Sequence, residues 1–265
     1  MTPILRNTVL ASVSIFLLLP LVIVAGASVN EGRQLQFPPR GFTLGWFWAL
    51  WSEPDWRAAL ANSVTIALGS ALLAVSIAFP LAYGVWHRGG RLARALLVLG
   101  HGPFTLPPVV LALAFMIFWI NTGGYGQIHA TTIAHAIFLV AMPLVTVGLG
   151  FNAIDKGVIE AAHSLGASQG QVFRRIIVPL IRPYALSGFA FAFVISLNEY
   201  IIANMVSGFV LETIPIKIFN TLHYGYTPII AAACLTFVFV AVAVFSLMAR
   251  SIDLYRVLGP STEES

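Results

Sequence analysis

Few side chains in this 265-residue chain are of a kind that does chemistry, and their spacing removes most kinds. Six histidines are present, yet none stands in an HExxH pattern or another metal-ligand spacing. The single cysteine, Cys234, lies in an apolar run, which excludes an intrachain disulfide and a CxxC site. No GxxxxGK[ST] phosphate loop occurs, so ATP would have to be hydrolysed by another protein. Two constellations remain. The first is Ser196-Leu197-Asn198-Glu199-Tyr200, polar residues inside an apolar stretch. A carboxylate at the centre of a membrane helix costs about 2.5–3.5 kcal/mol on insertion scales, so Glu199 is expected to face protein, water or solute. Two readings stay open: a pathway residue that meets a cationic amine, or a structural hydrogen bond or ion pair. His135 likewise reads as a packing histidine or a pathway residue. The second constellation is "EAAHSLGASQGQVFRRIIVPLIRP", from Glu160 to Pro183, a capped basic segment between long apolar runs.

The elements that must position these residues are membrane helices. Hydrophobic residues make up 58% of the chain and charged residues only 9%, against about 25% in soluble domains. Mean hydropathy is +0.90. About 20 apolar residues span a bilayer, which predicts six helices at approximately 9–29, 62–86, 95–120, 131–151, 184–208 and 229–249. The class is all-α, a polytopic membrane protein forming a single domain over 1–265. A cleavable signal at the first span is the weaker reading, because its apolar stretch exceeds the usual core of about 7–15 residues. With six spans, one side holds Arg6, Arg88, Arg91, Arg94, Lys156, Arg174, Arg175, Arg182, Arg250 and Arg256. The other holds Arg33, Arg40, Arg57 and Lys217. The positive-inside rule then puts both termini and the 152–183 loop in the cytoplasm. The net charge of +4 is therefore a topology signal, and nucleic acid is not an expected partner. Trp46, Trp48, Trp51 and Trp56 crowd the first outer loop, where a helix over Phe42–Ser52 would lie at the headgroups or dock an outer partner. The tail at 261–265 is polar and expected to be mobile. Pro80, Pro107, Pro108 and Pro143 are expected to kink their helices.

The 152–183 loop reads as two short helices. Asp155 caps the first, and Gly166 supplies the left-handed residue that ends it. Ser168 caps the second, with Gln171 three residues on completing a capping box. Val172, Phe173, Ile176 and Ile177 form an apolar stripe at helical spacing, Arg174 and Arg175 sit off it, and Pro179 stops or kinks the run. Physics alone allows a helix lying on the bilayer surface as readily as a rigid docking knob.

The same stretch resembles the EAA motif of permease subunits in binding-protein-dependent type I ABC importers: Glu-Ala-Ala, three residues, Gly, nine residues, Ile, one residue, Leu, Pro. Here Glu160-Ala161-Ala162, Gly166, Ile176 and Pro179 match, with Val178 where the family has Leu. The resemblance extends through "NSVTIALGSALLAVSIAFPLAYGVW" and "TLPPVVLALAF" and is weakest in the first helix and loop. It implies the MetI-like permease fold and a coupling helix that sits in a cleft of a cytoplasmic ATPase. Glu160, Ala161, Ala162, Gly166, Ala167, Phe173, Arg174, Ile176 and Pro179 would form that ATPase-coupling element. The implied partners are a cytoplasmic ABC ATPase dimer, a second permease (similar or identical), an extracytoplasmic solute-binding protein and the inner-membrane bilayer. The chain itself would be non-catalytic and hold no cofactor, ATP and Mg being bound by the ATPase.

Around Glu199, "SGFAFAFVISLNEYIIANMVSG" looks like the spermidine/putrescine branch, as does "TIPIKIFNTLHYGYTPIIAAACLT". The resemblance implies a solute path past Ser196, Asn198, Glu199 and Tyr200, for a polyamine or another small amine. Two departures count against it: Glu199 is the lone carboxylate within a span, and Ala231 stands where the branch's Pro-x-x-Asn-Ala pattern, counted from Pro228, has Asn. An amino acid, an aminophosphonate or an oxyanion is the alternative cargo. A secondary transporter or a membrane enzyme is a remoter alternative, since no repeat and no converging catalytic groups are visible.

Overall fold

The computed structural model describes residues 3–208 and 210–251, so Arg256 and the polar tail lie outside the described residues. Those residues form thirteen α-helices and one π turn. Four helical stretches are long and apolar enough to cross a membrane on their own: α1 (Pro3–Ser28), α3 (Pro54–Arg88), Gln169–Asn198, and α13 (Pro228–Ser251), which qualifies over Pro228–Ala249. Two bent pairs bring the number to six if each pair is one crossing.

Contacts divide the chain into two units, Met1–Ala61 with Thr213–Ala241, and Asn62–Glu212 with Val242–Ser265. In the first unit, α1 leads into an irregular segment organised around buried Asn30. The Asn30 side chain donates to Gln34 O and accepts from Arg40 N, while its carbonyl accepts from Trp46 Nε1 at 2.8 Å. The helix expected over Phe42–Ser52 is α2 and begins later, at Gly45 (Gly45–Ser52), with Leu50 buried and Trp48 and Trp51 outward. The start of α3, α12 (Ile214–Tyr224) and the start of α13 complete this unit, with Trp56, Ile214, Ile216 and Ala232 buried.

The second unit carries the functional constellations. Small residues line the buried face of α3: Ser63, Ala67, Ser70, Ala71, Ala74, Ala78 and Ala82 recur at three- and four-residue spacing, while Leu68, Leu72 and Ile77 face outward. Small side chains let helix backbones approach closely inside a membrane.

Three predicted spans are not single helices. The 95–120 span is α4 (Gly90–Thr105) and α5 (Pro108–Thr122), which meet at 103°. Leu106, at ψ 148, is forced extended by the proline after it, and two successive prolines remove two backbone donors. The 131–151 span bends by 45° between α6 (Ile128–Leu139) and α7 (Ala141–Asn152). Pro143 has no N–H to offer the Leu139 carbonyl, so the ladder breaks there. Pro80, by contrast, lies within α3, which continues through it.

The 184–208 span starts earlier and stops sooner. The helix is α10 (Val178–Asn198); Glu199 is extended, and α11 (Ile201–Ser207) follows. Glycine sets the contact of α10 with α7. A Cβ on Gly188 would lie 2.5 Å from Thr146 Oγ1 and 2.6 Å from Pro143 Cα.

Candidate functional site

The 152–183 loop folds largely as its capping residues dictate. Asp155 Oδ1 accepts from Gly157 N at 2.8 Å and starts α8 (Lys156–Ser164). Gly166, at φ 81, turns the chain, and Ala167 N donates back to Ala162 O. Ser168 and Gln171 form the reciprocal capping box that opens α9 (Gln169–Val172). Pro179 does not stop the run. A π turn over Phe173–Ile177 widens the helix, Val178 N reaches Phe173 O, and Pro179 enters α10 where its missing donor is tolerated. Gln169–Asn198 is consequently one apolar stretch of 30 residues, about 45 Å at 1.5 Å per residue.

The apolar stripe anchors this knob. Val172 and Ile177 are buried, each worth on the order of 1.5–3 kcal/mol, and they join Ala78, Ala82, Val147, Phe151 and Ile181 in one core. Half-buried Phe173 meets Tyr83 at 5.1 Å between ring centroids and Phe79 at 6.3 Å; Trp86 stacks on Phe151 at 5.4 Å. This aromatic cluster was not singled out from the sequence. Its signal was there: Phe79, Tyr83 and Trp86 stand four and three residues apart at the end of one predicted span. Among the predicted coupling residues, Glu160, Ala161, Gly166, Arg174 and Pro179 are exposed, and Ala162, Ala167, Phe173 and Ile176 are half-buried. Leu165, also missed, is 88% exposed at the tip. Beside it an open groove is lined by Gly166, Ala167, Gln171, Arg175 and Ile176. The surface offers an apolar tip flanked by Arg174 and Arg175, and it is rigidly tied to a spanning helix.

The predicted path residues gather at the other end of that helix. Glu199 turns its carboxylate into the fold, with only 7% of the side chain exposed. Its Oε1 accepts from Ile202 N and its Oε2 from Ala203 N, both at 2.9 Å, so it caps the first turn of α11. Oε2 also lies 3.1 Å from His135 Nε2. That approach has ion-pair distance but is bent away from hydrogen-bond geometry. His135 Nδ1 is 2.8 Å from Ser196 Oγ, which is 3.0 Å from Ser70 Oγ. Ser196 and His135 are buried, Tyr200 is half-buried, and Asn198 is exposed with its amide on Val194 O. Helices α3, α6, α10 and α11 thus meet in one buried polar network. Nearby, α11 packs on α5 and α6, Gly126 N donates to Val206 O, and Thr131 Oγ1 sits 3.0 Å from Ser207 Oγ. Among the described residues, no three His, Cys, Asp or Glu side chains gather as a metal site.

The sequence pattern of a family described as "Binding-protein-dependent transport system inner membrane component" matches residues 41–254. The spermidine/putrescine transport system permease protein PotC of Haemophilus influenzae is 30% identical over 247 residues, covering 92% of this chain and 94% of that one. The molybdenum transport system permease protein ModB of Mycobacterium bovis is 30% identical over 220 residues, covering 77% and 83%. A solved bacterial ABC transporter that imports the acidic polysaccharide alginate contains a chain with TM-score 0.70 and 15% identity, covering 93% of this chain and 95% of that one; this likeness speaks for the fold.

Proposed function

The chain belongs to the family of inner membrane components of binding-protein-dependent transport systems, and from that premise we propose that it forms half of the import path for a polyamine or another small organic amine. It is a multi-pass, non-catalytic permease subunit of an ABC importer; the ATPase is a separate protein and no cofactor belongs to this chain. The whole is read as one permease domain, and the Lys and Arg distribution supports both termini being cytoplasmic. In this reading Glu160, Ala161, Ala162, Gly166, Ala167, Phe173, Arg174, Ile176 and Pro179 build the knob that an ATPase dimer grips. A second permease, distinct or identical, completes the path, and an extracytoplasmic binding protein delivers the solute. One observation carries the coupling role: the capped, exposed knob is continuous through its π turn with the helix that ends at the Glu199 break. A displacement at the knob then reaches the polar network without a flexible joint in between.

The amine rests on the similarity to PotC over nearly the full length of both chains. Asn198 and Tyr200 stand at the break where solute would pass, with Ser196 and Glu199 turned inward behind them. The similarity to ModB favours a second reading, an oxyanion cargo. The two separate cleanly. The complex is purified through a tag on this chain, its binding protein is isolated, and ligand affinities are measured by calorimetry. Tight binding of a di- or polyamine supports the first reading; binding of molybdate or another anion alone replaces it with the second.

A further inference from the structure

The buried network around Ser196 has more contacts than its hydroxyl protons can fill. Ser70 Oγ lies 2.5 Å from Ile66 O, a carbonyl that only accepts, so the single Ser70 proton is committed there. Ser70 Oγ therefore accepts from Ser196 Oγ at 3.0 Å, which commits the Ser196 proton. Ser196 Oγ must in turn accept from His135 Nδ1 at 2.8 Å, so Nδ1 carries hydrogen. The reverse order would leave the 2.5 Å contact between two oxygens with no proton in it, and a Ser196 hydroxyl turned to Nδ1 would leave the 3.0 Å Ser70–Ser196 contact with none. A ring with hydrogen on Nδ1 alone has only a lone pair at Nε2, and Nε2 is 3.1 Å from Glu199 Oε2. An ionised carboxylate has only lone pairs to offer in return. Two lone pairs facing each other in a site this dry repel with little screening.

We propose that His135 and Glu199 hold one extra proton between them, making a charge-neutral latch that fastens α11 to α6 across the α10–α11 break. Glu199 is thereby a positioning residue, and its carboxyl is not the free anion that a solute meets. The 3.1 Å between Nε2 and Oε2 is an ion-pair distance, which an imidazolium beside a carboxylate satisfies. A neutral ring accepting from a carboxylic acid satisfies the same accounting, with the same net charge. The two amides of α11 are capped in either form.

The test is nitrogen NMR on the assembled complex with labelled histidine, the His135 signal being assigned by its loss in His135→Gln. The expected wild-type spectrum has Nδ1 protonated. In Glu199→Gln the ring is neutral and keeps its hydrogen on Nδ1, because the new amide donates to Nε2. A wild-type ring whose only proton is on Nε2 overturns the proposal. Thermal unfolding gives an independent reading. His135→Ala strands a buried carboxyl, so it lowers Tm more with Glu199 present than in the Glu199→Gln background. Equal losses in the two backgrounds remove the latch.

Discussion

Gly166 tests the knob more cleanly than any other position. It holds φ 81 at the turn between α8 and α9, and a Cβ built on it meets nothing within 4 Å. Within this chain, a loss on substitution is therefore backbone strain rather than collision. An ordinary L-residue in the left-handed region costs about 1–2 kcal/mol, which shifts the equilibrium between ordered and opened turn by about 5–30-fold. Asn tolerates that region far better than Ala, and a β-branched residue worse. The expected order of ATP-driven uptake in proteoliposomes is thus Gly166, then Gly166→Asn, then Gly166→Ala, then Gly166→Val, with the affinity of the ATPase for the solubilised permease following it. Global Tm stays nearly constant, because the strain is local to the turn. If Asn were as damaging as Val, the loss would come from side-chain bulk in a docking cleft and not from the turn. If all three variants transported normally, a rigid turn would not be needed for coupling.

Gly188→Leu drives a side chain into Pro143 and Thr146, where backbone cannot yield, and is expected to lower stability by about 1–3 kcal/mol or more in a detergent melt. Gly148→Ala, on the same α7 and with open space around it, should be neutral or slightly stabilising. Phe173→Ala empties half of an aromatic socket; since a fully buried Phe→Ala costs about 3–5 kcal/mol, about 2 kcal/mol is expected here. Hydrogen exchange should quicken in the 156–178 segment and leave α6 unchanged.

What was legible in the sequence divides by range. Asp155, Gly166, Ser168 and Gln171 act on backbone groups two to five residues away, and each does what its type predicted. Of the stop or kink expected at Pro179, the stop does not occur, because the π turn before it is held by Val172, Phe173 and Ile177 packing on distant helices. Prolines 107, 108 and 143 marked the bends but not their size; a 103° break and a 45° bend differ through what each half packs against, such as α5 on α11. Glu199 stood out as a carboxylate in an apolar run. Its partners did not, since Ser70 and Ser196 are 126 residues apart, and His135 and Ser196 are 61 apart. The extended backbone at Glu199 follows from those partners, so the span was drawn as one helix.

The central claim is that this chain conducts solute only when partners drive it. The direct measurement is uptake into proteoliposomes holding the purified complex, with ATP inside or outside, with and without the binding protein, and with this chain alone. Uptake is expected to need ATP on the side of the 152–183 loop together with ATPase, binding protein and second permease. Uptake by this chain alone, driven by an ion gradient and indifferent to ATP, would contradict it.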